Sequence, residues 1–188
     1  MSLYSAEEKK LINFFIKFSG YLVPPYVDNT NLTGISKTMF FYLLGKQQFH
    51  FIYNLEKSLY PMRTALELLL NTVKERGDIL IISDSAPLKG FFKYDPYIKC
   101  TGWKRVELSN SKNYDLILLV DTVEESLVEV HRKISLIVGV GATTTSRMSY
   151  PFNLNIEKPV LAAWFYQAIT TSCLRGYELR KKTNELES

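Results

Sequence analysis

Two uninterrupted apolar segments constrain the fold of this chain more than any other feature of its sequence. Asp78-Ile-Leu-Ile-Ile-Ser83 and Asp115-Leu-Ile-Leu-Leu-Val-Asp121 contain no polar residue between their flanking positions. Short apolar runs of this kind are typical of strands that are covered on both faces, as in a parallel sheet. Two further strands are predicted over Phe49–Tyr53 and Ile134–Val140, and a long polar loop over Gly141–Pro151.

Amphipathic helices are predicted between and around these strands. The first begins at a capping box formed by Ser5 and Glu8 and ends near Gly20. Later helices are predicted to begin at Ser58, Thr122 and Asn155, with Pro61 and Pro159 in first turns and Arg180-Lys181-Lys182 as the last basic turn. The alternation predicts a three-layer α/β fold, with a mostly parallel sheet flanked by helices, of the flavodoxin-like or Rossmann-like kind.

The length of 188 residues predicts a single domain over residues 1–188, with the helix at 1–20 and the tail at 179–188 as peripheral extensions. A chain of this size needs no disulfide or metal to fold. Cys100 and Cys173 lie far apart and there are only two histidines, so no metal site is predicted. No apolar run reaches the 18 residues that indicate a membrane span.

The charge of the chain is mildly basic, with a formal net charge of +4. This value favours either a local contact with nucleic acid or a surface charge that serves only solubility. Lysines cluster around the first predicted strand, and a later segment interleaves cations with an aromatic ring, which suits phosphate contact plus stacking. The candidate RNA-binding residues are Lys37, Lys46, Lys57, Lys99, Trp103, Lys104, Arg105 and Arg147.

The sequence also offers an enzymatic alternative. Asp84 and Asp121 follow strands at positions where α/β sheets place ligands, although each can equally close a turn. Gly139-Val-Gly-Ala-Thr143 follows a strand, but Thr144 stands where a dinucleotide fingerprint needs its third glycine. We therefore predict no catalytic residue and no cofactor. The alternative is a small α/β enzyme or nucleotide-binding module with its site at Ser83–Asp84 and Gly139–Thr145.

One stretch carries a resemblance to a known family. Leu43-Leu-Gly-Lys-Gln-Gln-Phe-His-Phe-Ile-Tyr-Asn-Leu-Glu-Lys-Ser-Leu59 resembles the signature of the S-two family of small-subunit ribosomal proteins, in its bacterial and organellar form. The residues on the family pattern are Gly45, His50, Ile52, Asn54, Leu55, Glu56 and Lys57. The resemblance continues in register from about residue 30 to residue 178, through Gly77–Ser83, Tyr114–Asp121, Ile134–Thr143 and Tyr150–Asn155.

The chain departs from bacterial members of that family at several places, among them Gly139 or Gly141 where the family has an aspartate. Only about ten residues separate Arg105 from Asp115, too few for the long helical hairpin of bacterial members, whose two helices need roughly ten residues each. The aromatic and glycine-rich loop of the family is reduced to Lys99–Arg105, and its basic N-terminal segment to Thr33–Lys37. These departures resemble those expected of a family member in an organellar ribosome, in which protein contacts have replaced RNA contacts.

The resemblance implies a role without catalysis. It implies a structural constituent of the mitochondrial small ribosomal subunit, at the junction of head and body. The implied partners are small-subunit rRNA and neighbouring ribosomal proteins, including lineage-specific ones, with no membrane and no small-molecule substrate. The phenylalanine-rich N-terminal helix and the basic C-terminal tail are the candidate docking segments for those proteins.

Overall fold

The computed structural model describes residues 5–23, 37–48, 50–102, 113–120, 129–130, 132–140 and 150–187 of the chain. Four helices are described in full: α1 (Ala6–Lys17), α2 (Leu55–Lys74), α3 (Ala86–Phe91) and α4 (Pro159–Glu187), and a 3₁₀ helix spans Lys37–Tyr42. The strands are β1 (Leu43–Gln47), β2 (His50–Tyr53), β3 (Ile79–Ile82), β4 (Ile98–Thr101), β5 (Leu116–Leu119), β6 (Leu136–Val140) and β7 (Tyr150–Phe152).

Five of these strands form one parallel sheet in the order β4-β3-β5-β6-β7. The two apolar segments of the sequence supply β3 and β5, and all four residues of each strand are buried. With helices flanking the sheet, the chain has a three-layer α/β fold of the flavodoxin-like or Rossmann-like kind, and the predicted fold class is confirmed.

The two faces of the sheet bury different residues, because successive side chains of a strand point to opposite sides. Ile79 and Ile81 pack in the main core with α2 and α4, whereas Leu80 and Ile82 pack in a second cluster on the other face. That second cluster also contains Tyr114, Ile117, Leu119, Val130 and Ile137. Phe15 of α1 is fully buried in the main core, so α1 packs against the domain.

Helices α2 and α4 approach each other closely at Gly176. A Cβ atom at this position would lie 2.7 Å from the carbonyl oxygen of Leu70 and 2.9 Å from Cβ of Val73. Any side chain there would push α4 away from α2, since a backbone oxygen cannot rotate aside. Glycine is therefore what permits the close packing of the two helices.

The start of α2 differs from the prediction. Asn54, and not Ser58, is the N-cap, because its Oδ1 accepts a hydrogen bond from the backbone N–H of Lys57 at 3.2 Å. The Ser58 hydroxyl is buried and accepts a hydrogen bond from Nδ2 of Asn153 at 3.3 Å. Pro61 consequently lies inside the 20-residue helix, where the packing of its buried face outweighs the cost of about 3 kcal/mol for an internal proline.

The last helix also differs from its predicted limits. It begins at Pro159, while Asn155 closes the preceding turn by accepting a hydrogen bond from the N–H of Glu157 at 2.9 Å. It runs on to Glu187, beyond the predicted basic turn, because no glycine or proline follows Lys182 to end it. The predicted loop over Gly141–Pro151 ends earlier than expected, since β7 begins at Tyr150.

Strands β1 and β2 form an antiparallel hairpin outside the parallel sheet. The register shifts between Leu43 and Gly45, so Leu44 is an extra residue and its side chain is 68% exposed. Gly45 has φ +152°, a backbone conformation that L residues rarely adopt. The glycine of the family-like motif is thus the residue that shapes this bulge.

Gly45→Ala is expected to destabilise the protein by about 1–3 kcal/mol, since alanine would be strained at this backbone conformation. Nothing lies within 4 Å of the position of the new Cβ atom, so backbone strain is the only cost. The measurement is the midpoint of thermal or urea unfolding. Gly90→Ala is the matched control: Gly90 is exposed within α3 with open space around it, and alanine there should be neutral or stabilising. Equal effects of the two changes would contradict this assignment.

The two cysteines are expected to differ in reactivity. Burial, and then the negative charge of Asp95, raise the pKa of the Cys173 thiol to about 12, whereas Cys100 is only half-buried. Because the thiolate is the nucleophile, iodoacetamide at pH 8 should alkylate Cys100 well before Cys173 in the folded protein. Mass spectrometry of digested samples measures the order, and both thiols should react at similar rates in denaturant. Faster modification of Cys173 in the native protein would contradict the packing of α4 described here.

None of the helices described is both long enough and apolar enough to cross a membrane.

Candidate nucleic-acid interface

Two of the predicted cations lie together where the β1–β2 hairpin leads into α2, a region we call the hairpin corner (Phe41, Lys46, Phe51 and Lys57). Asn54 holds the junction, since its N–H donates to the carbonyl oxygen of Tyr42 at 2.7 Å while its side chain caps α2. This arrangement places Lys57 at an exposed position in the first turn of the helix and Lys46 at an exposed position on strand β1.

Both lysines of the hairpin corner lie over aromatic rings. The Nζ atom of Lys57 is 4.2 Å from the ring centroid of Phe41, and that of Lys46 is 5.4 Å from the ring centroid of Phe51. Phe51 is buried, but 60% of Phe41 is exposed. A positive charge beside an exposed aromatic ring suits contact with a phosphate next to an unstacked base.

Lys99 lies at the opposite edge of the parallel sheet. The first turn of α2 is tied to the β7 edge by the hydrogen bond from Asn153, which directly follows β7, to Ser58. Lys99 lies on β4, at the other end of the strand order. Four strand spacings of about 4.8 Å separate β4 from β7, or about 19 Å. The structure therefore divides the three predicted cations whose side chains it describes, Lys46, Lys57 and Lys99, between two surfaces.

The side chains of the other predicted RNA-binding residues lie outside the described part of the chain. The backbone of Lys37 begins the 3₁₀ helix, and its side chain is outside the described part of the chain. Trp103, Lys104, Arg105 and Arg147 also lie outside the described residues.

The alternative site is described only in part. Ser83 is fully buried, and its Oγ accepts a hydrogen bond from the N–H of Ser85 at 3.1 Å, so its hydroxyl closes the turn after β3. Asp84 is exposed and forms an ion pair with Lys89 at 2.9 Å. The Ser83 hydrogen bond is of the kind that closes a turn, whereas the Asp84 contact is a surface ion pair between the β3–α3 connection and α3. Gly139 is buried within β6, and residues 141–145, like Asp121, lie outside the described part.

Sequence reasoning missed a second group of cations on and after α3. Lys89 and Lys93, together with Lys99, line a groove of about 610 Å³ between α3 and β4, which we call the α3–β4 groove. Its remaining lining residues are Gly90, Phe92, Asp95, Pro96, Tyr97, Ile98, Cys100 and Tyr114. No linear pattern could reveal this groove, because α3 is short, contains Pro87 and Gly90, and was not predicted at all.

Across the described residues, no group of histidine, cysteine, aspartate and glutamate side chains is arranged to hold a metal ion. Comparison of the chain with protein-family models gives no matching family, and a search of curated proteins gives no matching protein.

Proposed function

We propose that this chain is a structural constituent of the mitochondrial small ribosomal subunit, where it joins rRNA to neighbouring proteins at the head–body junction and catalyses no reaction. The proposal originates in the resemblance of residues 43–59 and of the segments that follow in register to the S-two family. Both the location in the particle and the organelle come from that resemblance.

The observation that carries the proposal is the hairpin corner. Residues of the family-like motif have linked roles there: Gly45 pairs with Ile52 across the hairpin, Asn54 caps α2, and Leu55 is buried. Lys57 is left exposed beside an exposed aromatic ring. The motif thus places an exposed cation beside an exposed ring in the first turn of α2, and phosphate contacts from such cations position a protein on RNA.

The protein-facing part of the proposal rests on exposed apolar side chains. Phe40, Leu44 and Tyr60 are 46%, 68% and 77% exposed, and all three belong to the segment around the hairpin and the first turns of α2. Exposed aromatic side chains such as Phe40 and Tyr60 are enriched at protein interfaces. Neighbouring ribosomal proteins are the partners that the proposal assigns to them.

The experiment is sedimentation of a mitochondrial lysate through a density gradient, with the chain detected immunologically. The chain should co-sediment with small subunits and should leave that fraction after ribonuclease treatment. A chain that remains at the top of the gradient would contradict the proposal. So would a nucleotide that raises the melting temperature of the isolated protein in a thermal-shift panel, since a ligand that binds the native state stabilises it.

A further inference from the structure

The α3–β4 groove is built by a β-α-β unit at the edge of the sheet. Strand β3 leads into α3, and the chain returns through residues 92–97 to β4, which pairs with β3 in parallel register. Lys99 pairs with Leu80, so its side chain lies on the face of the sheet opposite to Ile98. The groove lies at the edge of the sheet and is lined by one lysine each from the helix, the turn and the strand.

The lysines that line this groove carry positive charge beyond what the one ion pair among them neutralises. Lys89 is neutralised by Asp84, 2.9 Å away. Neither Lys93 nor Lys99 forms an ion pair with any described residue, and both are exposed. Two ammonium groups that pair with no described carboxylate thus remain to attract an anion.

Asp95 is the one carboxylate among the lining residues, and both of its oxygens accept hydrogen bonds from neighbouring groups. Oδ1 of Asp95 accepts hydrogen bonds from the N–H groups of Tyr97 and Ile98, both at 2.9 Å, and Oδ2 accepts one from the hydroxyl of Tyr177. Burial and the hydrogen bond to Asp95 raise the pKa of Tyr177, so this hydroxyl remains a donor at neutral pH. The guanidinium of Arg180 lies 5.1–5.2 Å from the rings of Tyr177 and Tyr97, which adds positive charge behind the groove.

The surroundings of the groove favour a polymer over a small ligand. The groove is open to solvent rather than enclosed, and small-molecule sites usually bury most of their ligand. Two aromatic side chains stand beside it: Tyr94 is 86% exposed with Lys93 5.1 Å from its ring centroid, and Phe91 is 47% exposed. Cations along an open groove with exposed rings beside them are the arrangement that binds single-stranded nucleic acid.

We infer that the α3–β4 groove binds the phosphodiester backbone of single-stranded RNA, with Lys93 and Lys99 on phosphates and Tyr94 as a stacking platform. This inference deepens the proposed function and rests on it. It adds a second RNA contact at the sheet edge opposite to the hairpin corner, so that the domain would bridge two RNA segments about 19 Å apart or more.

The test is fluorescence anisotropy with a labelled oligouridylate and the purified full chain. Lys93→Gln/Lys99→Gln should weaken binding by about tenfold and reduce the slope of log affinity against log salt by about 1.4, as expected for two lost contacts to a single strand. Tyr94→Ala should weaken binding without changing the salt slope. Lys10→Gln/Lys158→Gln is the matched control, because it removes the same charge from exposed positions on α1 and before α4 and should change affinity less than about twofold.

Three results would overturn the inference. The first is equal weakening by the groove variant and the control, which would indicate only general electrostatic attraction. The second is competition by uridine monophosphate as effective as that of the oligomer, which would indicate a mononucleotide ligand. The third is competition by polyglutamate as effective as that of RNA, which would indicate an acidic protein partner. Each can occur while the chain still co-sediments with small subunits, so failure here is distinguishable from failure of the proposed function.

Discussion

Phe165→Ala is expected to destabilise the protein by about 3–5 kcal/mol, a large part of the 5–15 kcal/mol that typically separates folded from unfolded domains. Phe165 of α4 is fully buried, and its ring meets that of Phe152 of β7 at 5.3 Å and 73°. Alanine would leave a cavity between the helix and the edge of the sheet. For a chain of this size the melting temperature should fall by about 6–20 °C.

Tyr60→Ala is the control for this prediction. It also removes an aromatic ring from a helix, but the side chain is 77% exposed, so the expected change is within about 0.5 kcal/mol. Urea unfolding followed by circular dichroism measures both variants. If Phe165→Ala were as stable as Tyr60→Ala, α4 would not pack on the sheet as described.

Lys46→Gln/Lys57→Gln is expected to have the largest effect on function. In the proposed role these lysines of the hairpin corner neutralise phosphates, and loss of both should weaken association with small subunits by about tenfold at a fixed salt concentration. The measurement is release of the tagged chain from isolated small subunits as potassium chloride is raised. The variant should be released at a lower concentration than the wild type.

The fold of this variant should be unchanged, since both side chains are exposed and neither caps a helix. Circular dichroism and the unfolding midpoint check this. Arg132→Gln/Lys158→Gln removes two charges from exposed positions outside the candidate docking segments, and its release profile should follow the wild type. If the hairpin-corner variant and the wild type had identical release profiles, the hairpin corner would not be part of the RNA interface.

The central strands could be predicted because burial on both faces requires an uninterrupted apolar segment, as in Ile79–Ile82 and Leu116–Leu119. The edge strands have no such apolar segment. Ile98–Thr101 has one buried residue, and Tyr150–Phe152 contains Pro151, which is tolerated because β7 lies at the edge. Edge strands are defined by what they pair with, and pairing is a tertiary property.

The same reasoning applies to details within elements. Asn54 and Ser58 are both good N-cap residues, but in the folded chain the Ser58 hydroxyl is buried and hydrogen-bonded to Asn153, 95 positions further along the sequence. The need for glycine at position 176 becomes apparent only when α2 and α4 are packed together, since it comes from the closeness of Leu70 and Val73. In the candidate interface, the sequence grouped Lys46 and Lys57 around the first strand and placed Lys99 in a later segment. It could not show that Lys99 lies at the opposite edge of the sheet and shares a groove with Lys93.

The claim on which the account depends is that this chain is an architectural part of a ribonucleoprotein. Its most direct test is the molar ratio of the chain to small-subunit rRNA in mitochondrial small subunits purified through a high-salt cushion, measured by quantitative mass spectrometry with labelled peptide standards. We expect the chain and the rRNA to be equimolar. A trace amount in the washed subunits, with most of the chain recovered as free protein, would contradict the account.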